Sequence, residues 1–191
     1  MVFDLETSIS KGPHGPAAKD PTNDFYTIIA GTSPEYVSVF HWAKGMKRTL
    51  PPAYRKMLDK TDVLIGHNLP FDLSYIWHNE AFQDFLLRGG QVWDTQIAEY
   101  LLSGQRHSFA SLGELQEIYL GGKTKDSRIS NLYKKDIGAD VILAAKDRCP
   151  RIFKIYDAYS KADGVTTMQV FQKQYKLAKD RGMIDCIKLY N

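Results

Sequence analysis

The sequence predicts an α/β fold in which a five-stranded mixed sheet is flanked by helices. Two observations lead there. Short runs rich in β-branched and aromatic residues occupy the first half of the chain. Some are joined by tight connections, which make antiparallel pairs, and others by helical stretches, which make parallel ones. From Thr95 onward the pattern is almost wholly helical. Strands, then β-α-β units, then helices describe a sheet covered by helices. The 191 residues, 43% hydrophobic and 25% charged, suit one domain spanning 1–191.

The elements follow in order. Residues 1–7, Met-Val-Phe-Asp-Leu-Glu-Thr, read as the first strand, with Asp4 and Glu6 on one face and Phe3, Leu5 and Thr7 on the other. Residues 9–23 carry a dense set of Pro and Gly and read as a long loop, either an insertion or a segment that contacts substrate or partner. Residues 25–31 and 36–42 form an antiparallel hairpin, and 51–60 a short helix with Pro at its start. Residues 63–68 are a buried interior strand, and Pro70 opens a helix running towards Arg88, with Asn68 or Leu69 near its cap. Residues 91–94 make the last strand. Helices are expected at 96–102, 108–120, 140–146 and 151–179, with a polar loop at 121–130. The last nine residues keep an apolar pattern, which suggests excision from a longer protein or docking on a partner, a free-standing protein with an ordered terminus being the alternative.

The side chains that carry chemistry sit at three places. Asp4 and Glu6 are like charges two apart on one strand face, an arrangement with a cost that a divalent cation would offset. Asp72 lies in the first turn of a helix, where the positive end of the helix dipole favours a carboxylate. Tyr159 and Asp163, four apart, share a helix face. Each alone reads more simply as a solvated or dipole-complementing group; together they supply four carboxylates from separate elements.

These stretches, Asp4-Leu5-Glu6, Asn68-Leu69-Pro70-Phe71-Asp72 and Tyr159-x-x-x-Asp163, resemble in order and placement the three motifs of the DEDDy branch of DnaQ-like 3′–5′ exonucleases. Val92-Trp93-Asp94-Thr95 and Ser111-Leu112-Gly113-Glu114-Leu115 are similar to the family's later segments. The resemblance covers essentially the whole chain. It is nearest to the proofreading domain of family A DNA polymerases, with ribonuclease D-like enzymes as relatives. It implies a ribonuclease H-like fold and release of nucleoside 5′-monophosphates from DNA 3′ ends by two Mg²⁺ ions, Mn²⁺ substituting. By the same resemblance Asp4, Glu6 and Asp163 hold the ion that activates water, and Asp4 bridges to a second ion supported by Asp72. Tyr159 orients the water. Asn68 contacts the terminal nucleotide, caps its helix, or both, and Leu5 and Thr7 approach the terminal base and 3′-OH through their backbone.

The implied partners are single-stranded DNA 3′ ends, with RNA as the alternative, and a polymerase domain or subunit. A ribonuclease D-like exoribonuclease, a catalytically silent binding module and a structural cation-binding protein are the competing readings; the full motif set disfavours the last two. Net charge is +3, too small to identify a nucleic-acid binder alone. Residues 121–154, however, hold nine Lys and Arg against four Asp, a local +5, which makes them either a phosphate track or a solvated surface. No apolar run approaches a membrane span. With two cysteines, Cys149 and Cys186, expected reduced and either buried or incidental, the expected setting is intracellular, a viral replication machinery within a host cell included. His67 is expected to be structural, and Trp42, Trp77 and Trp93 to lie in the core.

Overall fold

Five strands form one mixed sheet: β1 (Val2–Thr7), β2 (Phe25–Gly31), β3 (Val37–His41), β4 (Val63–Gly66) and β5 (Gln91–Asp94), in the order β3-β2-β1-β4-β5. β1 pairs antiparallel with β2, and β2 with β3; β1 with β4 and β4 with β5 are parallel. The structure is a computed structural model that describes residues 1–9, 18–19, 23–42, 49–122 and 127–191. The α/β architecture and five-stranded mixed sheet expected from the sequence are those observed.

β1 takes the centre because both of its faces can be covered. Phe3 and Leu5 face a core completed by Ile28, Leu64 and the helices α1 (Pro52–Asp59), α2 (Leu69–Ile76) and α3 (Glu80–Leu87), which contribute Tyr54, Leu58, Leu69, Phe82 and Phe85. Val2 faces the opposite core, with Ile29, Ile65 and Trp93. That face is covered by α4 (Thr95–Leu102), the long α8 (Pro150–Asp180) and α9 (Ile184–Tyr190). The period-2 alternation of a strand therefore sends Asp4 and Glu6 to the α8 side. Between α4 and α8 lie α5 (Leu112–Leu120), α6 (Ser127–Tyr133) and α7 (Ala139–Ala144). α6 and α7 pack on α8 through Ile129, Ile142, Leu143 and Tyr156. A register shift between Glu6 and Thr7 marks a bulge at the end of β1, a device that re-aims side chains beside functional sites.

α8 comes unusually close to the sheet at one point. A Cβ on Gly164 would lie 2.6 Å from Ile29 Cγ2 and 2.9 Å from Val37 Cγ1. Only glycine fits there without moving one of two stiff, β-branched neighbours.

Several expectations are corrected. The helix read from Pro70 to Arg88 is two helices. Asn79, in an extended conformation, accepts a hydrogen bond from the Ala81 amide at 3.0 Å and starts α3 afresh. The helix read from 108 begins at Leu112, because Ser111 and Glu114 form a reciprocal capping box. The polar loop at 121–130 gives way to α6 from Ser127, held by the buried Ile129; residues 123–126 lie outside the described ones. In the apolar C-terminal stretch, where nothing in the fold decides between the readings given above, Ile187 is buried against α4 and α8, the Asn191 side-chain oxygen accepts from the Asp94 amide at 2.8 Å, and Leu189 and Tyr190 stay exposed. Trp42 and Trp93 are in the core as expected, but Trp77 is half-exposed at 54%. Both cysteines are free and exposed, which leaves the incidental one of the two expected readings. Most of the 9–23 loop lies outside the described residues, although its base is closed by Ser8 and Asp24, each donating its amide to the other. Among the described residues no helix is long and apolar enough to cross a membrane.

Candidate metal centre and its groove

Strand alternation aims Asp4 and Glu6 at α8, and α8 answers with Asp163. Each of the three offers a carboxylate oxygen, and these oxygens lie within 4.8 Å of one another. Asp4 is half-buried, while Glu6 and Asp163 are buried. The fourth carboxylate arrives from the other face. Asp72, 3% exposed in the first turn of α2, accepts a hydrogen bond from the Leu5 amide at 3.1 Å. Burial pushes its carboxyl well above the usual aspartate range; the charges of Asp4, Glu6 and Asp94 add to the push, against the Leu5 hydrogen bond. Of the expected backbone contacts, the Leu5 amide is thus committed to Asp72, and Thr7 lies buried just past the bulge.

An all-oxygen donor set of this kind suits a hard divalent cation such as Mg²⁺. Three carboxylate oxygens within 4.8 Å of one another gather negative charge that a dication would offset, and the charges of Asp4 and Glu6 add to the burial that displaces Asp72, so the residues fit such an ion. A testable consequence follows from its sign. With its pKa raised in the fold, Asp72 binds its proton more tightly folded than unfolded. Its contribution to stability is therefore greatest at low pH and declines as pH rises from the ordinary value of 3.8 towards the raised one. In EDTA, thermal melts of the wild type should weaken with rising pH more steeply than those of Asp72→Asn, and Mg²⁺ should restore the wild type at neutral pH. Equal pH slopes for the two proteins would refute this account.

Tyr159 sits one turn before Asp163 on α8, half-buried. Burial first, then the charges of Asp163 and Glu6, push its hydroxyl far above the ordinary tyrosine value, against a hydrogen bond with Ser130. It stays protonated at neutral pH and acts as a hydrogen-bonding group rather than a base. A second tyrosine, which the sequence did not single out, stands beside it. Tyr133, the last residue of α6, donates its hydroxyl to Glu6 Oε2 at 2.5 Å, and its ring meets Tyr159 edge-on at 6.5 Å. Burial and the Glu6 charge push the Tyr133 hydroxyl up as well. The weak signal that could have found it is Ile129 and Tyr133 four apart, a short helix face inside a stretch dominated by charge.

The loop that carries Asn68 is organised from the next strand. Asp94, buried at the end of β5, accepts the amides of Asn68 at 3.1 Å, Leu69 at 2.9 Å and Gln96 at 2.7 Å. One carboxylate thereby caps α2 and α4 together. Asn68 is exposed and left-handed at φ 57°, and its side chain makes no cap hydrogen bond, so the capping role is Asp94's. Burial raises the Asp94 pKa despite these donors. His67 pairs through Nδ1 with the Thr95 hydroxyl at 2.9 Å, the structural role expected of it.

A groove of about 420 Å³ runs along α8, with Tyr159 and Asp163 among its walls and Gln116, Arg128, Arg151 and Lys154 completing them. Of the nine basic residues counted in 121–154, these three line it; Lys123 and Lys125 lie outside the described residues.

Residues 20–177 match the family model described as a 3′–5′ exonuclease, named for the exonuclease domain of A-type DNA polymerases. The chain belongs to this 3′–5′ exonuclease family. The exonuclease hydrolyses phosphodiester bonds, and the matched span contains Asp72, Tyr159 and Asp163. It begins after β1, so Asp4 and Glu6 join the set through the fold and not through the match. Solved structures similar to the exonuclease include a nuclease in its apo form (19% identity, 98% of this chain and 77% of that one, TM-score 0.65). Brucella melitensis NrnC with bound Mg²⁺ is also similar (17% identity, 98% and 77% coverage, TM-score 0.62). So is the same organism's NrnC bound to pGG (20% identity, 98% and 77% coverage, TM-score 0.62). At these identities the likeness is one of fold. No curated protein sequence matches the exonuclease.

Proposed function

We propose that this exonuclease removes nucleoside 5′-monophosphates from the 3′ ends of single-stranded DNA, in a proofreading role, with two divalent ions held by Asp4, Glu6, Asp72 and Asp163. The observation that carries the reading is the convergence of Asp4, Glu6 and Asp163 beside Tyr159, on a groove walled by Arg128, Arg151 and Lys154. When bound, the ions supply a nucleophilic water at neutral pH and offset charge on the leaving oxygen. Asp4, Glu6 and Asp163 hold one ion, and Asp4 with Asp72 supports the other. Tyr159, fixed as a neutral phenol, orients the attacking water by hydrogen bonding. Asn68, exposed just before α2, contacts the terminal nucleotide, and Leu5 and Thr7 approach the terminal base and 3′-OH through their backbone. The three groove cations follow the phosphates behind the scissile bond. Residues 1–191 act as one exonuclease domain, and a polymerase domain or subunit is the partner that proofreading calls for.

A second reading, with RNA or short oligonucleotides as substrate, draws support from the fold neighbour bound to pGG. The deciding experiment incubates 5′-labelled single-stranded DNA and RNA of one sequence with the protein in Mg²⁺, Mn²⁺ or EDTA. A DNA ladder shortening from the 3′ end in either metal, and none in EDTA, is expected. Faster loss of RNA would replace the substrate assignment, and degradation in EDTA would end the metal assignment. Tyr159→Phe should slow hydrolysis about a hundredfold through lost orientation, with Mg²⁺ affinity kept. Replacing Arg128, Arg151 and Lys154 with Ala should raise KM on long strands. It should also flatten the salt dependence of binding by about 0.7 in log–log slope for every phosphate no longer neutralised. An unchanged slope would remove the groove from the substrate path.

A further inference from the structure

We propose, on the exonuclease reading above, that Tyr133 is a positioning residue for the metal centre. Its hydroxyl holds the Glu6 carboxylate in the orientation that joins Asp4 and Asp163 around an ion. Glu6 is the longest of the three converging side chains and has one more rotatable bond than either aspartate. Of the three it is the one whose carboxylate position is least determined by its backbone. The Tyr133 hydroxyl has a single proton, and Glu6 Oε2 receives it at 2.5 Å. An ionised carboxylate has about four lone-pair sites, so one such bond leaves capacity for an ion while removing the freedom to swing away.

The phenol is itself fixed on two sides. Ile129, one turn earlier on α6, is 1% exposed and packed with Leu143 and Tyr156. The Tyr133 ring stands at 89° to that of Tyr159, so the two tyrosines brace one another. α6 also puts Arg128 in the groove wall and Ser130 beside Tyr159. The helix thus reaches the carboxylates through Glu6 and Tyr159, as a partner behind the ligand. Partners of this kind change metal affinity by about 10–100-fold when removed.

Tyr133→Phe keeps the ring and deletes the hydroxyl. Its affinity for Mn²⁺, measured by calorimetry without nucleic acid, should fall at least about tenfold. The Mg²⁺ midpoint for hydrolysis should rise by a similar factor, and kcat at saturating Mg²⁺ should return close to wild type. Tyr133→Leu, which also loses the ring packing, should melt earlier and yet bind Mn²⁺ no more weakly than the Phe variant, because affinity follows the hydroxyl. A fall in kcat at every Mg²⁺ concentration with an unmoved midpoint would overturn the assignment, as would a Leu variant binding far more weakly than Phe. Wild-type ion binding with an unaltered Tyr133→Phe affinity would overturn this assignment alone. A wild type that binds no ion would overturn the exonuclease metal centre with it.

Discussion

Asp4→Ala should reduce 3′-end hydrolysis by about three orders of magnitude or more while raising the melting temperature in EDTA. The two effects have one cause. Asp4 lies where β1 brings the carboxylates of Glu6 and Asp163 within reach, and its charge is the largest electrostatic contribution pushing Asp72 upward. Without the ions this charge is repulsion, so its removal stabilises the fold. With ions bound as proposed it would be their shared anchor, and an ion so held would contribute several kcal/mol at the transition state, where each 1.36 kcal/mol is a factor of about ten. Single-turnover rates on a 5′-labelled strand, read beside thermal melts in EDTA, check both halves. A variant that loses activity and also melts earlier would mean that Asp4 is held by the fold for packing and not for charge.

Asp94→Ala should cost about 3 kcal/mol or more of stability and depress activity without touching a reacting atom. Its carboxylate serves the amides of Asn68, Leu69 and Gln96. Each buried donor left without a partner costs about 1–3 kcal/mol, and a lost helix cap about 1 kcal/mol. Asp94→Asn is the sharper probe. Oδ1 takes two of the amides and Oδ2 the third, so turning either oxygen into an amide group presents a donor to a donor. The isosteric change should therefore recover little of the loss. Because α2 carries Asp72 and follows Asn68 directly, slackening its start should raise KM and lower kcat together. Chemical denaturation and steady-state kinetics on both variants test this. Full stability in Asp94→Asn would show that water can replace the carboxylate.

Much of this was legible before the fold, and the reason differs from residue to residue. Strand alternation places Asp4 and Glu6 on one face, but what made them visible as site residues was the resemblance of their stretch to a known motif. Asp163 was visible through the same resemblance, its spacing from Tyr159 showing only that the two share a helix face. The α/β class was visible in the change from period 2 to helical spacing near Thr95. What was hidden depends on contacts across the chain. Asp94 capping a helix 25 residues upstream leaves no local trace. Tyr133 meets Glu6 across 127 residues, and the first half of its short helix fell inside the loop read at 121–130. The break between α2 and α3 was misread because apolar spacing continues through Trp77, which the structure leaves half in water.

The close approach at Gly164 has a consequence for which ion the centre would accept. Asp163 is its neighbour in the chain, so the backbone that carries this carboxylate rests on Ile29 and Val37 with less clearance than one methyl group. Stiff side chains on a sheet form an abutment, and an abutment does not breathe as a loop does. Mg²⁺ and Ca²⁺ differ chiefly in radius, at about 2.0–2.1 Å against 2.3–2.6 Å to oxygen. A site whose Asp163 backbone cannot yield would favour the smaller ion, and what holds that backbone close is an atom that the sequence leaves out.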